Sequence, residues 1–178
     1  MNILLNNIKD GMPGITPIEG ADLQENCVTM LHRCGHQSPI AVALTGLKEE
    51  SFCLHWDDVC TEQMQRTYAD HQANTERSAI AISVLLAKEL TGYSVILRSR
   101  KGTGFDYYLG EENDSQYTPL ARLEISGIEK ETSKNTIAGR FKQKLEQVAP
   151  SDITTLPAYI SVVEFSTPKT HFDSKEQL

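Results

Sequence analysis

The alternation of apolar and polar positions divides the second half of the chain into helical and extended stretches. From 75 to 90, apolar side chains recur at steps of three and four residues without Gly or Pro, which predicts an α-helix. Gly92 is expected to end it. The short apolar stretch 93–98 predicts a strand, and the glycines of 101–104 predict a turn.

Two further stretches, 105–109 and 121–126, alternate apolar and polar residues with a period of two. This period predicts strands with one buried face. Each strand carries one carboxylate in its polar row, Asp106 in the first and Glu124 in the second. If the strands pair as a hairpin, both carboxylates emerge on the same side of the sheet. That juxtaposition is the sharpest indication of chemistry in the chain.

The C-terminal part predicts one helix and one strand. Thr132 or Ser133 can cap a helix that ends at Pro150, with an apolar stripe of Ile137, Phe141, Leu145 and Val148. The stretch 159–165 is apolar on both faces and predicts an interior strand. Residues 169–178 are polar and predict a loose tail.

The first seventy residues predict a separate succession of elements. They begin with a short strand near 3–5, followed by a helix over 21–34. A β-hairpin follows, with alternation over 40–44 and again over 52–56. Asp57 or Asp58 can then cap a helix that runs to about Ala69. We therefore predict three regions, which are an N-terminal extension (1–72), a core (73–168) and a flexible tail (169–178).

Composition narrows the classes of function. The chain has 178 residues and a net charge of -7, which argues against a surface broadly coated for nucleic acid but allows a local basic strip. It contains no apolar run of roughly 18 residues and no signal-peptide pattern at its start. We therefore expect a cytoplasmic protein with no membrane partner.

The four cysteines, Cys27, Cys34, Cys53 and Cys60, invite a metal-binding interpretation because histidines lie nearby. Their pairs are spaced too widely for a zinc knuckle, in which the paired cysteines are about two to four residues apart. Cys27 and Cys34 instead fall on the apolar stripe of the first predicted helix. Buried reduced thiols are the favoured interpretation, and metal binding is left open.

From residue 75 onward the predicted order is helix, three strands, helix and strand, with Asp106 on the second strand and Glu124 on the third. This succession resembles the PD-(D/E)xK nuclease superfamily, over about the last hundred residues. The resemblance implies an α/β fold with a mixed (α+β) sheet. Its restriction-endonuclease-like αβββαβ core would carry an N-terminal helix–hairpin–helix extension.

The resemblance also implies a site. Asp106 and Glu124 would hold Mg²⁺ or Mn²⁺, and Glu76 on the first core helix would match a further acidic residue of the family. The lysine of the family motif falls at position 126, where this chain has Ser126. Either Lys101 or Arg122 would then supply the missing positive charge, or the site has lost catalysis.

The resemblance makes DNA the expected partner, bound by basic residues near the site: Arg77, Arg98, Arg100, Lys101 and Arg122. Two functions follow. The first is a metal-dependent nuclease-like protein that acts on DNA phosphodiesters, in a bacterial defence or mobile-element system. The second is a catalytically inactive accessory protein with the same fold, which binds a protein partner from the same operon. A homodimer is left open in both.

Overall fold

A computed structural model describes residues 1–175, which form a mixed α/β fold on one eight-stranded sheet. The α-helices are α1 (Pro17–Arg33), α2 (Glu62–Thr67), α3 (His71–Thr91) and α4 (Ile137–Val148). The strands are β1 (Asn2–Leu4), β2 (Ile40–Gly46), β3 (Glu50–His55), β4 (Ser94–Arg98), β5 (Tyr107–Gly110), β6 (Ala121–Ile128), β7 (Ala158–Glu164) and β8 (Lys169–Lys175). Short 3-10 helices span Leu5–Asp10 and Ala149–Thr154. The predicted α/β class with a mixed sheet is confirmed.

The strands lie in the order β1-β3-β2-β8-β7-β6-β5-β4. Pairing is antiparallel for β4 with β5, β5 with β6, β7 with β8 and β2 with β3. It is parallel for β6 with β7, β2 with β8 and β1 with β3. The hairpin of the N-terminal region therefore joins the same sheet as the later strands, and β8 connects them.

The position of β8 corrects the expectation of a loose tail at 169–178. Residues 169–175 form a strand between β7 and β2, with Thr170 and Phe172 buried on one face. The stretch contains one large apolar residue in seven positions, so its strand character comes from backbone pairing on both sides and not from an apolar pattern. The remainder of the predicted tail, 176–178, lies outside the described residues.

Capping side chains account for the helix boundaries that differ from prediction. The hydroxyl of Thr16 accepts from the Glu19 N–H, so α1 begins earlier than the predicted start at 21. Asp70 caps α3 in the same way through the Ala73 N–H at 2.9 Å. Thr136, rather than Thr132 or Ser133, caps α4. The predicted end at Gly92 is confirmed, with φ of 76° in the left-handed region.

The N-terminal segment spans both edges of the sheet and shows that the sheet is curved. β1 lies at one edge, and the Gly14 N–H donates to the Val95 carbonyl of β4 at the other. Eight strands spaced at about 4.8 Å would place the edges of a flat sheet about 34 Å apart. The linking segment, part of it 3-10 helix, can reach only about 26 Å. The sheet therefore curves around α1 and α3, the helices that the linking segment contacts.

The two faces of β6 carry different helices. Gly127 faces α3, and its backbone lies so near that a Cβ would come 2.5 Å from the Thr75 carbonyl oxygen. The opposite face, which includes Glu124, lies under α4. The predicted stripe of α4 does pack on this face, but Phe141 and Leu145 are only partly buried, and Val148 alone is fully buried. Phe141 also contacts the His171 ring edge-on, with centroids 4.3 Å apart.

Substituting Gly14 tests the closure of the curved sheet. A Cβ at this position would lie 2.7 Å from backbone atoms of Ile96 and Leu97, so Gly14→Ala must push the segment off β4. We expect a loss of about 1–3 kcal/mol in the free energy of unfolding, measured by urea denaturation. As a control, Gly139→Ala within α4 should be neutral or stabilising by up to about 1 kcal/mol. Equal stability of Gly14→Ala and wild type would contradict the closure.

Candidate metal centre and cationic groove

Asp106 and Glu124 lie side by side at the start of the β5–β6 pair. Asp106 immediately precedes β5, and its N–H donates to the Leu123 carbonyl at 3.0 Å. Its carboxylate accepts from the Ile125 N–H at 2.8 Å, which turns it towards Glu124. Both carboxylates line a groove of about 410 Å³, here called the carboxylate groove. The structure thus brings together the pair that alternation placed on one side of the sheet.

Burial and mutual repulsion make the two carboxylates hard to ionise together. Glu124 is only 1% exposed. Burial, followed by the negative charge of Asp106, raises its pKa to about 7, against the opposing influence of Lys144. Burial also raises the pKa of Asp106, although the Ile125 N–H and Lys144 oppose it. The two carboxyl groups also lie close enough to share one proton, and either that proton or a bound cation would relieve their repulsion.

Lys144 of α4 supplies a positive charge that sequence reasoning did not place at the site. Its Nζ donates to Glu124 Oε1 at 2.5 Å and to Gln147 Oε1 at 3.0 Å. Gln147 Nε2 donates to the same Glu124 oxygen at 2.9 Å. Lys144 immediately precedes Leu145 of the apolar stripe, so its place at the edge of that stripe was the available signal.

One oxygen of Glu124 is left without a partner. Oε2 is buried and accepts no hydrogen bond, although the fold supplies two donors to Oε1. An unsatisfied buried carboxylate oxygen is costly unless another group binds it. Next to Asp106, it fits a hard divalent cation, which takes carboxylate oxygens and completes its shell with water or phosphate. Within residues 1–175 no group of three or more His, Cys, Asp or Glu could hold a metal, so these two carboxylates would be the side-chain ligands.

Glu76 and Arg77 lie away from the carboxylate groove. Glu76 is exposed and accepts from Gln72 at 3.2 Å, so it does not join Asp106 and Glu124 as the further acidic residue that the resemblance implied. Arg77 pairs with two carboxylates of α1, with Nε 2.6 Å from Asp22 Oδ2 and Nη2 3.1 Å from Glu19 Oε1. Both positions follow from the orientation of α3 about its axis, which turns Glu76 towards solvent and Arg77 towards α1.

Arg122 and Ser126 lie on the α4 face of β6 but outside the groove. Arg122 is 2% exposed and donates to the carbonyls of Val148 and Leu156, the Ser151 hydroxyl and Asp152. It is therefore a structural cation, which ties the chain after α4 to β6, and it cannot replace the motif lysine. Ser126 is also buried, at 8% exposure, and does not line the groove.

The end of β4 and the loop that follows it carry the accessible cations of the site. Arg98, Arg100 and Lys101 are exposed and line the carboxylate groove. The Ser99 hydroxyl contacts the Thr103 hydroxyl at 2.7 Å and the Phe105 carbonyl, which holds the loop in a defined shape. Three of the five predicted basic residues therefore meet at the groove, and Lys101 is at its rim instead of beside Glu124.

The remaining sequence hypotheses concern thiols and membranes. All four cysteines are free thiols, and burial raises the pKa of Cys27 far above its ordinary value. No helix within the described 175 residues is long and apolar enough to cross a membrane.

In comparisons with known proteins, no family model, no curated protein and no solved structure matches the chain.

Arg122→Ala tests the structural role of this arginine. The substitution leaves the Ser151 hydroxyl and the Leu156 carbonyl without their buried donor. We expect a loss of about 2–5 kcal/mol in the free energy of unfolding by urea, since each buried polar group left unsatisfied costs about 1–3 kcal/mol. Arg98→Ala, at an exposed guanidinium of the groove, should stay within about 0.5 kcal/mol of wild type. Similar effects of both substitutions would contradict this division of roles.

Glu124→Gln tests, through the pH dependence of stability, whether burial and the charge of Asp106 disfavour the ionised Glu124 carboxylate. Because the pKa of Glu124 is raised from 4.5 to about 7, the folded protein binds its proton more tightly than the unfolded chain does. This group's contribution to stability therefore falls as pH rises through that window. The variant lacks the group, so its stability relative to wild type should increase with pH in urea titrations without divalent metal. A difference between Glu124→Gln and wild type that stays flat with pH would contradict the burial argument.

Proposed function

We propose that this protein is a cytoplasmic, Mg²⁺- or Mn²⁺-dependent nuclease that cuts DNA phosphodiesters. The observation that carries the proposal is the unpartnered, buried Glu124 Oε2 beside Asp106, with Lys144 held on the other oxygen of the same carboxylate. Two carboxylates, with a lysine bonded to one of them, are side chains that suit metal-assisted phosphodiester hydrolysis.

The topology supports assignment to the PD-(D/E)xK superfamily. Successive elements α3, β4, β5, β6, α4 and β7 follow the αβββαβ order of that core. Their pairing is antiparallel, antiparallel and then parallel, with α4 as the crossover between the parallel strands. Asp106 and Glu124 fall at the second and third of these strands, as the motif requires.

Each side chain has a distinct role in the proposal. Asp106 and Glu124 would hold the metal ion, which when bound lowers the pKa of an attacking water and stabilises charge on the phosphate. The Ile125 N–H fixes the Asp106 carboxylate for this purpose. Lys144 takes the part of the motif lysine that Ser126 cannot play, by placing a positive charge next to the scissile phosphate. It reaches the site from α4 instead of from β6.

The loop cations account for substrate binding on an otherwise acidic protein. Arg98, Arg100 and Lys101 stand at the mouth of the carboxylate groove, where they would contact phosphates on either side of the cut. A net charge of -7 makes binding depend on this loop and not on a general basic surface.

The alternative is an inactive accessory protein that keeps the fold and binds a protein partner from the same operon. Ser126 and the acidic net charge favour it. The position of Lys144 weighs against it. Lys144 brings a positive charge to Glu124, although position 126 lacks the lysine of the motif. A role in a bacterial defence or mobile-element system is compatible with both functions.

Nuclease assays on purified protein test the proposal. Wild type should nick or degrade DNA when Mg²⁺ or Mn²⁺ is added, and Asp106→Asn and Glu124→Gln should abolish cleavage by removing a ligand. Lys144→Met should lower kcat by about 100–1,000-fold, the usual cost of losing one stabilising donor. Exposed Lys142→Met on the same helix is the matched control and should cut as wild type does.

Other outcomes separate the competing functions. Lys101→Met should weaken DNA binding several-fold and reduce its salt dependence by about one phosphate contact, while kcat is kept. Cleavage only in Ser126→Lys would favour an inactive natural protein that retains its metal pocket. No cleavage in any variant, with no divalent-metal effect on Tm, would reject the enzyme and leave the accessory protein.

A further inference from the structure

We propose that Gln147 is a positioning residue that holds Lys144, Glu124 and the cationic loop in one arrangement. This inference rests on the proposed function, because the residues that Gln147 connects are those assigned to metal and phosphate. No sequence pattern marks Gln147, which lies near the end of α4 and is exposed overall.

The side-chain amide of Gln147 connects the first two parts of this arrangement, Lys144 and Glu124. Its Oε1 accepts from Lys144 Nζ at 3.0 Å, and its Nε2 donates to Glu124 Oε1 at 2.9 Å. Since Lys144 also donates to that oxygen, the three side chains form a closed ring of hydrogen bonds. Lys144 and Gln147 are three positions apart on the helix, which places them on the same side.

The amide group is required because the ring needs one donor and one acceptor on the same side chain. A carboxylate at 147 would still accept from Lys144 but would repel Glu124, and a shorter amide would not span the distance. The ring also explains the orientation of Glu124. With both donors on Oε1, the carboxylate is turned so that Oε2 stays free for the metal.

The third part is the end of β4 with the loop that follows it, which together carry Arg98, Arg100 and Lys101. The main-chain oxygen of Gln147 lies against Gly104, where a Cβ would approach it to 2.4 Å, and Gly104 has φ of +85°. Gln147 Nε2 also reaches the Gly104 carbonyl at a longer 3.4 Å. The end of the loop therefore contacts Gln147, the residue that orients Lys144. The loop that would bind phosphate and the metal site thus depend on the same residue for their positions.

The test compares Gln147→Ala and Gln147→Glu with Gln143→Ala, an exposed glutamine one helical turn earlier. In the Gln147 variants we expect kcat for a DNA duplex and the affinity for Mn²⁺ by calorimetry each to fall about 10–100-fold, as when other supports of metal ligands are lost. KM should stay within about twofold of wild type, because the contact of the Gln147 main chain with Gly104, which supports the loop, survives a side-chain substitution. Tm without metal should fall in both Gln147 variants, because each removes a donor from the buried Glu124 carboxylate, and it should fall further in Gln147→Glu, which adds a negative charge.

Gln147→Glu separates positioning from a merely structural role. It keeps the length and the acceptor for Lys144, so a packing role would be rescued, whereas positioning of Glu124 would not. Wild-type kcat and Mn²⁺ affinity in both Gln147 variants would overturn the inference while wild-type cleavage still upheld the function. If wild type binds Mn²⁺ but does not cut, the function fails and Mn²⁺ affinity alone decides the inference. If wild type neither binds Mn²⁺ nor cuts, both are overturned.

Discussion

Burial of the Glu124 carboxylate is the constraint on which the site depends. An ionisable group with 1% exposure beside a second carboxylate is unfavourable in the folded protein unless donors or a cation compensate it. Lys144 and Gln147 of α4 donate hydrogen bonds to this carboxylate, but both donate to Oε1. Oε2 of the same carboxylate has no donor, and Asp106 adds a second negative charge nearby. This arrangement makes sense for a group that must bind something further.

That compensation requires α4 to lie at a defined position over β6, and the fold supports it from both sides. Arg122 holds the chain after α4 through its hydrogen bonds to Val148, Ser151 and Leu156. At the other end Glu131 accepts from the Ile137 N–H at 2.6 Å. The buried arginine next to the site is thus a framework residue, whose charge is used to position the helix.

The basic residues show why charge counted along the chain differs from charge presented at a surface. Arg77 and Arg122 are engaged by carboxylates and carbonyls, whereas Arg98, Arg100 and Lys101 remain exposed at the carboxylate groove. The cationic surface is smaller than the sequence indicates and is concentrated on a single loop. If the protein binds DNA as proposed, an acidic surface with one such loop would contact few phosphates, and binding would depend on that loop.

Local sequence determined the features that depend on short-range geometry. The period of two over 105–109 and 121–126 predicted the hairpin and the meeting of Asp106 with Glu124, because neighbouring antiparallel strands have their side chains in register. Tertiary structure alone decided the rest. Lys144 reaches Glu124 from a helix 20 positions later, β8 becomes a strand only by pairing with β7 and β2, and the rotation of α3 turns Glu76 to solvent. These outcomes depend on how distant elements pack, and periodicity within one element carries no information about its partners.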